Sequence, residues 1–125
     1  MIGYVTLGTN NLQQAARFYD QLFAELGITR MMETEQFIAW NGLGAGAGVA
    51  LTKPFDGQAA TVGNGVMVAF QMESPEMVDK MYNKAIELGA QDEGAAGPRG
   101  DGFYAGYFRD PDGNKCNFFY MLMPE

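Results

Sequence analysis

Residues 106–115 read GYFRDPDGNK, and this stretch is the clearest guide to the fold of the chain. Its centre, Asp110-Pro-Asp-Gly113, is typical of a tight turn, with proline at the second position and glycine at the fourth. β-prone residues lie on both sides of the turn, over 103–109 and 115–122. The stretch therefore predicts two strands joined by a short, well-defined turn.

The half of the chain that ends in this hairpin begins with a predicted strand over 65–72. Ser74 followed by Pro75 indicates a helix N-cap with proline in the first turn, and Gly89 is typical of a helix end. A further strand is predicted over 91–95. Between the cap and the glycine, apolar residues recur at helical spacing: Val78, Met81, Tyr82, Ala85 and Leu88.

The first half of the chain follows the same order. A strand is predicted over 2–9, and Asn11, with Gln14 three residues later, indicates a capped helix that ends at Gly27. The apolar face of this helix comprises Leu12, Ala15, Ala16, Tyr19, Leu22, Phe23 and Leu26, and three short strands follow over 28–33, 36–40 and 48–53.

The two halves are offset by almost the same number of residues. Ser74 minus Asn11 is 63, and Gly89 minus Gly27 is 62. We therefore predict an α+β fold built from two tandem βαβββ modules. The modules cover about residues 1–53 and 65–125, with residues 54–64 as the linker, and together they form a single domain of residues 1–125.

Composition excludes several classes of protein. The chain has 125 residues and a net charge of -7, which argues against a nucleic-acid partner. It has no histidine and one cysteine, so the commonest metal ligand, an internal disulfide and a cysteine-cluster site are all excluded. No run approaches the ~18 apolar residues of a membrane span, and no leader pattern opens the sequence. We expect a cytoplasmic protein with no membrane partner.

Three stretches resemble a known superfamily: residues 4–12 (YVTLGTNNL), residues 16–20 (ARFYD) and residues 106–115. In this order and spacing they are similar to the superfamily of glyoxalase I, bleomycin-binding proteins, fosfomycin-resistance enzymes and extradiol dioxygenases, also called the vicinal oxygen chelate superfamily. The resemblance spans nearly the whole chain. It implies that the modules form a curled mixed sheet around an open cleft, and that the protein is a homodimer.

The resemblance also implies four metal-ligand positions, usually His or Glu, and these fall on Tyr4, Ala50, Met67 and Asn117. Alanine offers no lone pair, and the methionine thioether suits soft ions such as Cu(I). Tyrosine would have to lose a proton with a pKa of about 10. We therefore expect no resident divalent metal and no cofactor, so that the metal chemistry of the superfamily lacks its parts.

Strand alternation predicts what each face of the sheet carries. The more apolar face should pack against the helices and comprises Val5, Leu7, Val49, Leu51, Val66, Val68, Phe70, Cys116 and Phe118. The mixed face suits a ligand cleft and comprises Tyr4, Thr6, Ala50, Thr52, Met67, Ala69, Gln71, Lys115, Asn117, Phe119 and Met121. Adding two aromatic residues that could stack on a flat ligand, we predict a binding site for a small organic molecule formed by Tyr4, Trp40, Met67, Tyr104 and Asn117.

Three interpretations of function remain open. The first is a metal-free binding protein of the bleomycin-resistance type. The second is a glyoxalase-like lyase or isomerase that acts without the usual metal, using Tyr4, Glu33 or Arg99. The third is a non-catalytic dimeric scaffold with a vestigial cleft. Glu33 and Arg99 are also consistent with ordinary surface charges, and Cys116 with a buried, inert thiol. The glycine-rich run 42–48 lacks the Gly-Lys-Ser/Thr of a phosphate loop and predicts a hairpin connection.

Overall fold

The computed structural model describes residues 1–42, 44 and 46–122. It divides into two compact units, Met1–Val62 and Gly63–Glu125, and the boundary falls inside the predicted linker 54–64. Each unit has one helix and one four-stranded mixed sheet, which confirms the prediction of an α+β fold with two tandem βαβββ modules. Neither helix among the described residues is long and apolar enough to span a membrane.

The first unit contains the strand β1 (Tyr4–Gly8), the helix α1 (Leu12–Ala24) and three further strands, β2 (Arg30–Glu33), β3 (Phe37–Trp40) and β4 (Gly48–Thr52). The sheet order is β1-β4-β3-β2. β1 runs parallel to β4, and the other two pairings are antiparallel. The glycine-rich run 42–48 connects antiparallel β3 and β4, as predicted, although Leu43 and Ala45 lie outside the described residues.

The second unit repeats this arrangement with β5 (Val68–Gln71), α2 (Pro75–Glu87), β6 (Gln91–Pro98), β7 (Phe103–Arg109) and β8 (Lys115–Met121). The sheet order is β5-β8-β7-β6, with β5 parallel to β8. The end of the predicted second module, residues 123–125, lies outside the described residues.

The helix boundaries follow from the predicted caps. The side chain of Asn11 accepts a hydrogen bond from the backbone N–H of Gln14 at 3.1 Å. Ser74 Oγ accepts from the N–H of Met77 at 3.2 Å. Each helix is followed by a glycine with positive φ, Gly27 at 71° and Gly89 at 104°. These bonds satisfy N–H groups that a helix start leaves unpaired, so local sequence alone determines where each helix begins.

Each helix packs on one face of the sheet in its own unit, and that face is the predicted apolar one. In the first unit the core includes Leu22, Ile38 and Leu51, all at most 1% exposed. In the second unit Cys116 and Phe118 are fully buried, which confirms the predicted burial of the thiol. Gly106 permits the close approach of α2, because a Cβ at this position would lie 2.9 Å from the Tyr82 ring.

Two strand boundaries differ from the prediction by three residues. The strand expected over 65–72 begins only at Val68, because Gly65 has a φ of 93° and the preceding residues form a turn in which Val66 N–H bonds to the Gly63 carbonyl. The strand expected over 91–95 continues to Pro98. Its register against β7 shifts twice, which indicates bulges. Bulges interrupt the alternation of side chains, so the sequence pattern does not show that the strand continues.

The turn at 110–113 is held by a buried carboxylate. Asp110 is 4% exposed, and its Oδ1 accepts hydrogen bonds from the N–H groups of Asp112 and Asn114, each at 2.9 Å. The Asn114 side-chain amide donates to Asp110 Oδ2 at 3.0 Å. This network fixes the register of β7 and β8, which therefore pair Tyr107 with Asn117.

Candidate functional site

The first unit has an open groove on the face of its sheet opposite α1. Tyr4 on β1 is 61% exposed, and its ring meets the ring of Phe37 on β3 edge to face, with centroids 6.0 Å apart. β4 lies between these two strands, so the ring contact crosses it. Two aromatic side chains thus form part of the surface of the groove.

The ring pair crosses β4 above Ala50. Tyr4 is in register with Gly48, and Phe37 is in register with Thr52, so Ala50 lies midway on the same face. Ala50 is 0% exposed. Because Ala50 is fully buried, a larger side chain at this position would have to displace its neighbours.

The groove has a volume of about 440 Å³. Its described lining contains no charged side chain, and its only polar side chains are those of Tyr4 and Asn41. The Asn41 amide donates to the Ala47 carbonyl at 3.1 Å and so ties the ends of the β3–β4 connection together. The lining comprises Ile2, Gly3, Tyr4, Met31, Met32, Phe37, Ala39, Asn41, Gly42, Gly44 and Gly46.

Trp40 was predicted as a site residue, but the structure places it on the other face of the sheet, under α1. It is 1% exposed, and its ring lies 5.9 Å from Tyr19 and 5.8 Å from Phe23, centroid to centroid. Its Nε1 donates to Asp20 Oδ1 at 3.0 Å. The register of β3 explains this position, because Trp40 pairs with Val49, which faces the helix.

Tyr104, another predicted site residue, also lies on a helix-facing side. Its hydroxyl donates to Asp79 Oδ1 of α2 at 2.6 Å, and this bond to a carboxylate raises the pKa of Tyr104. In β7 it alternates with Tyr107, which points to the opposite face. The structure therefore assigns Tyr104 a role in attaching α2 to the sheet of the second unit.

Met67 and Asn117, the remaining predicted residues of the second unit, differ in exposure. Met67 precedes β5 and is 40% exposed. Asn117 on β8 is 1% exposed, and among the described residues its Oδ1 has no hydrogen-bond partner. Its cross-strand neighbour Tyr107 has two cations near its ring, Arg99 Cζ at 5.6 Å and Lys115 Nζ at 5.5 Å from the centroid.

The side chains that a metal-free enzyme could use are engaged in local structure. Arg99 donates to the backbone carbonyls of Ala95 at 2.7 Å and Gly97 at 3.0 Å, so its guanidinium is bonded to the bulged strand β6. Glu33 accepts from Arg30 at 2.7 Å. Arg30 also donates to Asp20, and this bond, with a smaller contribution from Glu33, raises the pKa of the guanidinium.

The four positions that the resemblance gives for metal ligands do not fit a divalent ion. Ala50 has no donor atom and is fully buried, and Asn117 offers one neutral amide oxygen. Over residues 1–42, 44 and 46–122, no group of three His, Cys, Asp or Glu side chains could hold a metal. Zinc and its neighbours need nitrogen, thiolate or carboxylate ligands, which these positions do not supply.

Several residues of the groove were not predicted from the sequence. Phe37, Asn41 and Ile2 were not proposed as site residues, and Met31 and Met32 were noted only as residues suited to a core or a lining. Phe37 and Ala39 alternate with Ile38 and Trp40 along β3, so the orientation of Trp40 toward the helix would have placed them on the groove side.

A family model described as the Glyoxalase/Bleomycin resistance protein/Dioxygenase superfamily matches residues 1–118. The chain belongs to this superfamily. Its membership explains why the motifs at residues 4–12 and 106–115 occur together with the βαβββ repeat. A search of curated proteins gave no significant match.

Solved structures with the same fold align over nearly the full chain. A glyoxalase/bleomycin resistance protein from Albidiferax ferrireducens T118 is 34% identical, with a TM-score of 0.88 over 98% of this chain and 99% of its own. A hypothetical protein from S. aureus is 25% identical, with a TM-score of 0.74 over 96% and 92%. Lactoylglutathione lyase from Agrobacterium tumefaciens is 21% identical, with a TM-score of 0.72 over 96% and 92%, and shares the fold.

Proposed function

We propose that the chain binds a small organic molecule in the groove of its first unit, without a resident divalent metal. The observation that carries this proposal is the edge-to-face pair of Tyr4 and Phe37 above Ala50. Tyr4 lies at a position that the superfamily resemblance assigns to a metal ligand, and with Phe37 it forms an aromatic surface there instead. Binding would then depend on shape, ring contacts and a few hydrogen bonds.

The size and lining of the groove support this proposal. Small-molecule sites usually have volumes of roughly 300–1,000 Å³ and mostly apolar walls, and this groove, at about 440 Å³, lies within that range. Tyr4, Met31 and Met32 are all more than 40% exposed, although each has a large apolar part. Exposed apolar side chains that are grouped in a concavity are typical of interaction sites.

The surroundings of the groove favour binding over bond-breaking chemistry. Among the residues that the structure describes along its wall, none carries a charge, and Tyr4 is the one with a titratable side chain. Glu33, the nearest candidate base in the sequence prediction, is paired with Arg30. The described lining provides no carboxylate, imidazole or amine to act as a general base, and it contains no side chain that could take the proton of the Tyr4 hydroxyl.

Native mass spectrometry tests the proposal directly. The purified protein is incubated with a small-molecule extract of cells, desalted and measured, and the wild type should carry a bound organic molecule. Tyr4→Ala and Phe37→Ala should each reduce the occupied fraction severalfold. Phe55→Ala is the matched control, because Phe55 is fully exposed in the same unit and does not line the groove. Equal occupancy in all four proteins would refute the groove as the binding site.

The homodimer implied by the superfamily resemblance is also proposed. Val66 and Leu122 of the second unit are 61% and 65% exposed, and a dimer would remove such apolar surface from water. Light scattering at micromolar concentration should give twice the mass of one chain. A single-chain mass under these conditions would contradict the proposal.

A further inference from the structure

The lining of the groove also restricts the kind of molecule that it can bind. Resting on the proposed function, we infer that the ligand is an uncharged, predominantly aromatic molecule with one hydrogen-bonding group placed near the Tyr4 hydroxyl.

Charge is the first restriction. No described lining side chain is charged, so an ionised group on the ligand would lose hydration without meeting a counter-ion. The nearby Arg30 cannot compensate an anion, because its guanidinium is bonded to both Asp20 and Glu33. The net charge of -7 adds a long-range repulsion of anions.

A cationic ligand is affected differently. The negative net charge attracts it, and the rings of Tyr4 and Phe37 offer a cation–π contact. That contact is smaller than the cost of removing an unpaired ammonium group from water. The expected order of affinity is therefore neutral first, cationic second and anionic last.

The shape of the lining favours an aromatic ligand. Tyr4 and Phe37 already contact each other edge to face, and a third ring can add the same kind of contact to either of them. Met31 and Met32, on the same wall, supply thioether groups that contact ring edges favourably and adapt to irregular outlines. An aliphatic ligand of equal size would lack both contributions.

The polar atoms restrict the ligand to few hydrogen bonds. The Asn41 amide nitrogen already donates to the Ala47 carbonyl. The Tyr4 hydroxyl, by contrast, has no hydrogen-bond partner among the described residues, and its side chain is exposed. One polar group on the ligand, positioned against this hydroxyl, matches what the groove offers.

Three probes with the same ring system test the inference. The dissociation constants of 2-naphthamide, 2-naphthoate and 2-naphthylmethylammonium are measured by isothermal titration calorimetry at pH 7. We expect 2-naphthamide to bind at least tenfold more tightly than 2-naphthoate, with the ammonium probe in between. Tightest binding by naphthoate would overturn the ligand class and leave the proposed function standing. Absence of binding by all three probes would count against the proposed function itself.

A charge placed in the groove gives a second, independent readout. Met32→Lys should raise the affinity for 2-naphthoate severalfold and lower that for the ammonium probe. Gln58→Lys is the matched control, because it changes the net charge equally on an exposed loop of the same unit outside the groove. An equal gain for naphthoate in both variants would show that the probe binds elsewhere, which would overturn the inference.

Discussion

The indole Nε1 of Trp40 donates a 3.0 Å hydrogen bond to Oδ1 of Asp20, and the same oxygen accepts from Arg30 Nε at 3.0 Å. One carboxylate on α1 therefore holds side chains from two neighbouring strands, β2 and β3. This arrangement fixes which residues of β3 face the helix and which face the groove. Trp40 accordingly packs under α1, on the face of the sheet opposite the groove.

Trp40→Phe should lower the free energy of unfolding by about 1–3 kcal/mol, because the core loses both indole volume and one hydrogen bond to a charged group. Binding of 2-naphthamide should not change. Urea denaturation and calorimetric titration of the same sample measure the two effects. A weaker affinity with unchanged stability would restore Trp40 to the binding site.

Tyr4→Phe should lower the affinity for the ligand and leave stability unchanged, the opposite of Trp40→Phe. The hydroxyl is on an exposed side chain, so water replaces any partner and stability should hardly change. The affinity for 2-naphthamide should fall by about 0.5–1.5 kcal/mol if the hydroxyl bonds to the amide. Tyr104→Phe is the control, because it removes a hydroxyl bonded to Asp79 and should reduce stability only. A drop in stability without loss of affinity in Tyr4→Phe would contradict the assignment.

Ala50→Glu restores the carboxylate that the superfamily resemblance places at this position, and we expect it to fail as a metal site. Ala50 is fully buried on the face of the sheet that carries Tyr4 and Phe37, so the new carboxylate would be cut off from water, and the described lining of the groove offers it no cation. We expect a loss of several kcal/mol of stability, of the order found for unpaired buried charges. Ala47→Glu, at an exposed position of the same unit, is the control. Stoichiometric, tight binding of Zn²⁺ or Ni²⁺ by Ala50→Glu in calorimetry would refute this.

The second unit contains a pH-dependent bond between Tyr82 and Asp92. The hydroxyl donates to Asp92 Oδ1 at 2.7 Å, and burial, together with this bond, raises the pKa of Tyr82 to about 12. The same bond lowers the pKa of Asp92. Because the raised pKa favours the protonated tyrosine in the folded state, its contribution is complete below about pH 10 and is lost as the pH rises toward 12.

Asp92 gives the opposite pH dependence. Because its pKa is lower in the folded state, its carboxylate stabilises the fold at pH values above its ordinary pKa, and this contribution is lost as the pH falls below about 4. Wild type should therefore exceed Tyr82→Phe in stability near neutral pH, and the difference should shrink at both extremes. Chemical denaturation of both proteins at a series of pH values checks this. A constant difference from pH 3 to pH 11.5 would show that the bond does not contribute.

The sequence predicts both helices and most strands, because caps and terminal glycines act locally. Asn11 and Ser74 define helix starts whatever the rest of the chain does. The turn at Asp110 is equally local. It fixes the pairing of β7 with β8, and that pairing places Tyr104 opposite Tyr120, on the side of the sheet that faces the helix. The position of Tyr104 was therefore accessible from the sequence, whereas the bulges of β6 were not, since they depend on pairing with β7.

The groove was harder to predict than the fold. Its wall depends on the register of β3 against β4, and the connection between them, residues 41–47, is too long for its length to determine that register. Alternation along β1 alone predicts that Tyr4 lies on the exposed face of the sheet. The position of Phe37 in the groove depends on the strand pairing that brings Trp40 beside Val49. That pairing is long-range, because it is determined by the packing of α1 on the sheet.

The wall of the groove also includes the first residues of the chain. Ile2 and Gly3 line it, and the Gly3 carbonyl accepts a hydrogen bond from Gly48 N–H at 2.8 Å. A peptide fused ahead of Met1 would therefore leave the protein at the rim of the groove and would compete there with small ligands. Affinity tags at this end should be cleaved before any compound screen. In a tagged sample, the measured affinity would depend on the tag as well as on the groove.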